Sequence, residues 1–540
     1  MSTEQVSICI AGAGYGGNIM AARLAEALKT AGLTDHKIVL LERGYDYHGV
    51  DPLSTLPYRN EFGMGFKQLE DPRYLGQIFN HYADINPAHL INGGPTMHVQ
   101  GGKGVGGGSL INGAASVRAP KETFEQTNDA GKRIWPGLYN RNYLNPYYTR
   151  VEKFLNVVQL QWTSGNGPDW ALATKRDHTF AIGCLKAGFT AQPIPVALEK
   201  CRNCGWCYSG CPFDAKTAAN YFKYARSLGV RIDSQCNVES VSPADDQGGY
   251  LVNYHDGRDN TDKTIECQIL IISGGPIGTP GMLMKSAGNF AGARGFSGQL
   301  GKNLSANGDH FLGGIVGEEY EVKQYQGKVV NSSTFSFWKD YKFIIECFSL
   351  QPWMNIIGLP AQMSAPDHPE KTGRKSIDPA AQLWGKDFKS LLDQWGRRLM
   401  CLLVLGIDQA EGEIKLRPTP AGLRPSAEWP KTHPKTEAMW AMAVKQARKV
   451  FQALDGDLLA DSYRDEGIVT APHAVGGCRM GETKAMGVVD PNGEVFGNRN
   501  LFVSDGSVLP PIGVNPYMTI AAVAERNSEI LGKQLSERLQ

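Results

Sequence analysis

Gly12-Ala13-Gly14-Tyr15-Gly16-Gly17 stands between an apolar run, Val6 to Ile10, and an amphipathic stretch that passes through Leu24 and Leu28. A second apolar run, Ile38 to Leu41, ends in Glu42. Strand, glycine turn, helix, strand and carboxylate, in that order, make the setting in which G-x-G-x-x-G binds a dinucleotide. Gly12 permits the tight turn, Gly14 lets backbone approach a pyrophosphate, and Gly17 lets the helix pack closely on the sheet. With Tyr15 and Gly16 they put a helix N-terminus against two negative charges. Glu42 would accept hydrogen bonds from an adenosine ribose and repel a 2′-phosphate, so FAD or NAD fits better than NADP.

Three further stretches could do chemistry. From Gly101 to Gly113 seven of thirteen residues are glycine, too many for a stable helix or central strand. Such a loop suits a place where backbone N–H groups, Ser109 or Asn112 lie directly against a ligand. Cys201, Cys204, Cys207 and Cys211, followed by Pro212, have the C-x2-C-x2-C-x3-C-P spacing of ferredoxin-type iron–sulfur ligands. That spacing predicts a [4Fe–4S] or [3Fe–4S] cluster, with structural thiols and a zinc site as the competing readings. His473 lies on a loop between Pro472 and Ala474-Val475-Gly476-Gly477, and an imidazole that titrates near neutrality can take a proton from an alcohol. Asn515-Pro516 then opens the last helix, whose N-terminus would stabilise negative charge developing on a bound ligand.

The elements that must position these residues fit a chain of 540 residues, long enough for two joined domains. Hydrophobic residues make up 42%, charged residues 20%, and the formal net charge is +1, which gives no electrostatic case for nucleic acid. No run is long and apolar enough to span a membrane, and a first strand near residue 6 leaves no room for a signal peptide. The expectation is a cytoplasmic protein, with export or membrane association through a partner subunit left open. Seven of the eleven cysteines are scattered, several of them in apolar runs.

Residues 44–93 read as an excursion over the ligand, and 123–155 as mostly helical. Ala215 to Leu228 reads as a helix, 230–255 as an antiparallel excursion, and Glu266 to Ser273 as a buried strand that turns into a helix at Met282 to Ser286. β-like runs at Phe343 to Ile345, Leu350 to Leu359 and Leu402 to Gly406 suggest a second sheet. Glu437 to Leu454 reads as a helix, Leu501 to Ser504 as a strand, and Pro516 to Leu531 as another helix.

The N-terminal fingerprint, Gly104 to Gly113, Ser273 to Pro280, His473 to Met480 and Val503 to Thr519 together resemble the glucose–methanol–choline (GMC) oxidoreductases, which are FAD enzymes. Gly104 to Gly113 and Gly513-Val514-Asn515-Pro516-Tyr517 look most like the cholesterol oxidase branch. The resemblance implies an α/β, Rossmann-like FAD-binding domain and an α+β substrate domain on a mainly antiparallel sheet. Segments 1–45, 94–150, 212–310 and 465–540 would form the first; 46–93, 151–211 and 311–464 would form the second, with the cofactor lid and the cysteine-rich insert.

It also implies site residues. His473 would be the catalytic base, Asn515 its neighbour, and Glu346 a substrate-side carboxylate. Gly104, Gly107, Gly108, Ser109, Asn112, Gly113, Asp505, Asn515 and Pro516 would join the N-terminal fingerprint around FAD. The implied reaction passes hydride from a CH–OH group to flavin N5, on a bulky or cyclic alcohol. Phe62, Phe66, Phe79, Phe335, Phe337, Trp338, Phe348 and Trp353 are the aromatics available to line its pocket. Electrons would leave through an accepting subunit, cytochrome or quinone if the cysteines hold iron, or to dioxygen if they do not. A noncatalytic flavin electron-transfer subunit and a nicotinamide dehydrogenase are the remaining alternatives.

Overall fold

A computed structural model gives the fold of residues 3–47, 79–86, 96–164, 167–211, 213–244, 249–349, 386, 396–463 and 467–539. Among these residues seven strands form one sheet and six another. The first sheet is built on Thr261–Ile272, a strand of 12 residues. One of its edges pairs in parallel with Glu4–Ala11, from Glu4 opposite Ile265 to Ala11 opposite Ile272. The other edge is shared: Thr261 to Cys267 run antiparallel to Tyr250–Asp256, and Leu270 to Ile272 run parallel to Leu501–Val503. Ile38–Leu41 and Arg231–Asp233 continue the parallel side, giving the doubly wound arrangement that binds ligands at strand C-termini. Central parallel strands are covered on both faces, which is why Ile8, Ile10 and Ile269 to Ile272 are uninterrupted apolar positions without solvent exposure.

Helix Tyr15–Thr30 packs between this sheet and the last helix, Tyr517–Arg538. Its first turn is pressed against two strand ends. A Cβ on Gly12 would lie 2.2 Å from the Ser273 carbonyl oxygen, and one on Gly16 would lie 1.7 Å from that of Ser504. Gly12 also has φ 111°, a left-handed conformation that favours glycine.

The second sheet is antiparallel throughout, in the order Asp457–Asp461, His310–Ile315, Leu399–Gly406, Phe343–Phe348, Val330–Thr334, Gln192–Pro193. Helix Pro434–Gln452 packs on it through Ala443, Ala447, Val450 and Phe451. A third, three-stranded sheet sets Ile468–Ala471 parallel to Thr96–Gly102. Both strands therefore end on the same side, one running into the glycine-rich loop and the other into Pro472-His473. Among the described residues no helix is long and apolar enough to cross a membrane.

Several expected elements change. Residues 123–155 are helical only over Arg141–Phe154, preceded by a short turn of helix at Lys121–Glu125; Gly131 and Pro136 fall in the intervening loop, where neither favours a continuous helix. Arg231–Asp233, expected within an antiparallel excursion, runs parallel to Ile38–Leu41. The helix expected from Met282 begins at Gly275, because Pro276 sits in its first turn, where a missing N–H costs nothing. The expected strand at Leu350 to Leu359 lies outside the described residues.

Substituting Gly16→Ala forces its new methyl group against backbone and should cost at least ~1–3 kcal/mol. Gly14→Ala has open space, nothing lying within 4 Å of its Cβ, and should leave the apoprotein's stability nearly unchanged. Urea unfolding of the two apoproteins separates them, and equal midpoints would contradict the packing described.

Candidate active site

A cavity of ≈ 600 Å³ is walled by residues from all three sheets. Gly12, Gly14, Tyr15, Gly16 and Glu42 share its wall with Gly107, Gly108, Asn112, Gly113, His473, Asp505, Asn515 and Pro516. Two helices start at this wall without a side-chain cap: Tyr15–Thr30 after Gly14, and Tyr517–Arg538 after Pro516. Their first N–H groups have no partner within the helix, and the helix dipoles add positive potential there. Two such starts on one cavity favour an anionic ligand, and the empty space beside Gly14 and Gly108 leaves room for its close approach.

The glycine turn is held in place by carboxylates. Glu42 Oε2 accepts the Ala13 N–H at 2.9 Å, and Oε1 accepts those of Gly44 at 2.8 Å and Gly104 at 3.2 Å. Asp505 accepts N–H groups from Gly275 at 2.9 Å and Ser507 at 2.7 Å, with the Thr279 hydroxyl at 2.5 Å. Burial raises the Asp505 pKa despite these donors. On the far side Asn112 Nδ2 donates to the Tyr15 hydroxyl at 2.8 Å, and Tyr15 stacks on Tyr517 with centroids 4.7 Å apart.

Three of the expected cofactor residues stand off the wall. The Ser109 hydroxyl turns to Gly106 O at 2.8 Å, Gly104 packs against Tyr45 and Tyr47, and a Cβ on Gly17 would lie 2.0 Å from Gly12 O. Each therefore shapes the loop and does not face the cavity.

His473, Glu346 and Asn515 come from three distant segments and are brought together. Glu346 is fully buried, opposite Leu403 on the neighbouring strand. Its Oε2 accepts Asn515 Nδ2 at 3.3 Å. Among the described residues Glu346 Oε1 and Asn515 Oδ1 find no hydrogen-bond partner, and such atoms mark places where a ligand or water completes a site. Burial pushes the Glu346 carboxyl up to about 7, against the opposing pull of His473 and Asn515.

A residue that the sequence did not single out completes the group. Asp309 accepts the His473 backbone N–H at 2.9 Å through one oxygen and contacts His473 Nδ1 at 2.9 Å through the other. Burial raises Asp309 to about 6, against the lowering effect of His473. For His473 itself burial disfavours the charged ring, but Asp309 and Glu346 outweigh it, so its pKa lies above the usual histidine value. Just before Asp309, the Asn307 side chain clasps the 512–514 turn: Oδ1 accepts Ile512 N at 3.0 Å and Gly513 N at 2.7 Å, and Nδ2 donates to Val514 O at 2.8 Å.

Among the described residues no three Cys, His, Asp or Glu side chains stand close enough to share a metal ion, the set at Cys201, Cys204, Cys207 and Cys211 included. Burial raises the pKa of all four thiols. Their loop is instead tied to the cavity wall by Lys216, whose buried Nζ donates to the carbonyls of Ser109 at 3.0 Å, Leu110 at 2.8 Å and Cys207 at 2.7 Å. Tyr208 of the same loop reaches the wall.

Of the expected pocket aromatics among the described residues, Phe348 alone is on the wall, joined by Phe311 in an edge-on contact with centroids 5.4 Å apart. Phe337 stacks on Phe343, Trp338 donates to Glu122 at 3.0 Å, and Phe335 packs in the core. Phe62, Phe66, Trp353 and the Phe79 side chain lie outside the described residues.

GMC oxidoreductase family patterns match residues 12–308 and 408–524. A long-chain-alcohol oxidase of Arabidopsis thaliana is 23% identical over 95% of this chain, which spans 66% of that protein's length. A cholesterol oxidase of Mycobacterium tuberculosis is 25% identical over 97% of this chain and 90% of its own. The fold superposes on formate oxidase from Aspergillus oryzae RIB40 with TM-score 0.64 at 13% identity, covering 100% of both chains.

Asn307→Ala removes the acceptor of two buried N–H groups, at about 1–3 kcal/mol each. The urea midpoint should fall, and the Ile512 and Gly513 amides should exchange faster. Unchanged exchange would mean that other contacts hold the turn.

Proposed function

Because the chain belongs to the GMC oxidoreductases, whose fold binds FAD, we propose that it oxidises the CH–OH carbon of a bulky, apolar alcohol and passes the electrons to dioxygen. The observation that carries this reading is the meeting of His473 and Asn515 on the wall of the same cavity as the Gly12–Gly14 turn. A noncatalytic electron-transfer subunit has no use for an imidazole and an amide so placed.

Bound FAD supplies the acceptor for the substrate hydride. In this reading Gly12, Gly14, Tyr15, Gly16, Asn112, Gly113 and Pro516, all on the cavity wall, would hold it. His473 takes the hydroxyl proton as the carbon–hydrogen bond breaks, and Asn515 orients the hydroxyl through its unpartnered oxygen. The uncapped start of the last helix stabilises negative charge arriving in the cavity. Phe311, Phe348, Leu403, Val329 and Val330 give the substrate side an apolar lining, which favours a ring or long chain over a sugar.

The relatives named above are called oxidases, and dioxygen is the acceptor assigned on that likeness. One hydrogen peroxide per alcohol oxidised is expected. Stoichiometric iron and acid-labile sulfide in anaerobically purified protein would overturn that assignment. Cyclic and long-chain alcohols should bleach the flavin anaerobically; a sugar doing so faster would overturn the substrate class.

His473→Ala should keep FAD bound while slowing flavin reduction at least ~10²-fold, as expected for loss of a general base. In the wild type a protonated His473 cannot accept the proton. Reduction should therefore weaken as pH falls through a value above the ordinary histidine range, with Glu346 titrating nearby at about 7. A flat profile between roughly pH 5.5 and 9 would remove His473 from the role.

A further inference from the structure

We propose that Asp309 is a positioning residue that holds His473 in one tautomer, with the proton on Nδ1 and with Nε2 bare toward the cavity. The inference rests on His473 being the proton acceptor, and it adds which nitrogen accepts and why. Asp309 is 2% exposed, and both of its oxygens are spent on one residue: Oδ2 on the His473 backbone N–H and Oδ1 on Nδ1, each at 2.9 Å. A two-point hold of this kind fixes the ring's orientation as well as its position. An ionised carboxylate can only accept, so Nδ1 must donate, and Nε2 is left as the acceptor.

The surroundings leave Asp309 no other cation. Among the described residues its one ion pair is with His473. The other groups bearing on the pair are acidic: Glu346 faces His473, and Asp408 faces Asp309. Asp408 is itself occupied by the Ser305 hydroxyl at 2.7 Å and by the N–H groups of Gly308 and Ala410 at 3.0 Å each. As the substrate C–H and O–H bonds break and its C=O forms, the hydroxyl proton goes to Nε2, while FAD, when bound, would supply the acceptor for the hydride. The resulting imidazolium, protonated on both nitrogens, has the Asp309 carboxylate already in contact to balance its charge.

The decisive variant is Asp309→Asn in the FAD-loaded enzyme. The new amide oxygen can still accept the His473 backbone N–H, while the amide NH2 group donates to Nδ1 and so drives the proton to Nε2, the wrong tautomer. Flavin content and affinity for a non-oxidisable alcohol analogue should be retained. Anaerobic flavin reduction should slow by ~10² to ~10⁴-fold, the loss seen when a carboxylate behind a catalytic histidine becomes an amide. The acid limb of the rate profile should move to lower pH, because the imidazolium loses its anionic support, and Asp309→Glu should recover part of the rate.

Nitrogen NMR of ¹⁵N-histidine-labelled wild-type holoenzyme gives a second readout that needs no variant: neutral His473 should show a protonated Nδ1. A protonated Nε2, or Asp309→Asn reducing its flavin at the wild-type rate with an unmoved acid limb while His473→Ala is crippled, would overturn the role of Asp309. Wild-type rates in His473→Ala would instead overturn the underlying proton-acceptor reading.

Discussion

An α-helix cannot satisfy its own first N–H groups, and this protein places two such unsatisfied starts on one cavity with no side chain to quiet them. The start after Gly14 and the start after Pro516 are costly if left dry and empty, and favourable if a dinucleotide carrying two phosphates and a redox-active ring lies between them. The neighbouring architecture serves to keep both starts exposed to the ligand and close together. Gly12 and Gly16 give up their side chains so that the first helix can seat on the ends of two strands. Glu42 and Asp505 take up the N–H groups of the adjoining turns, leaving the two helix starts to the ligand.

The proton-handling group obeys a different constraint. Three buried carboxyl groups are grouped here, Asp309 and Glu346 facing one imidazole and Asp408 facing Asp309, and burial alone would drive them all to the neutral form. They differ in what offsets that pressure. Asp309 has His473, Asp408 has a hydroxyl and two backbone N–H groups, and Glu346 has one amide proton from Asn515 at 3.3 Å. Burial nonetheless pushes both Glu346 and Asp408 up to about 7, and Asp309 to about 6. The arrangement keeps an anion behind the imidazole and a readily protonated acid beside it, a graded set made from residues of the same chemical type.

Much of the fold was legible in the sequence because it depends on local pattern. The glycine fingerprint, the apolar run at Glu266 to Ser273 and the amphipathic last helix each carry their periodicity within a few residues. His473 and Asn515, each carried by a motif, do meet on one cavity wall. Asp309 was not legible, because nothing in Gly308-Asp309-His310 announces a partner at position 473; that pairing arises only when the strand beginning at His310 is set beside the end of Ile468–Ala471. The pocket aromatics misled for the same reason, since composition cannot tell Phe348, which faces the cavity, from Phe337, which packs behind the sheet. Cysteine spacing fixes how far apart ligands can be along the chain, but whether sulfur atoms converge depends on the loop's anchors, and here Lys216 ties that loop to the glycine turn through backbone carbonyls.

The divided edge of Thr261–Ile272 also bears on how the polypeptide is made. That strand leaves the ribosome with one flank already available, since Glu4–Ala11 precedes it, but Leu501–Val503 emerges only after the whole second sheet has been synthesised. Until then the Leu270 to Ile272 edge is an apolar strand border without its neighbour, and the Tyr15–Thr30 helix lacks its partner Tyr517–Arg538. A product interrupted before residue 501 is therefore not a smaller dinucleotide-binding protein but a chain with an open, sticky margin. The dinucleotide-binding half is thus closed by pieces encoded far downstream of the strand that they complete.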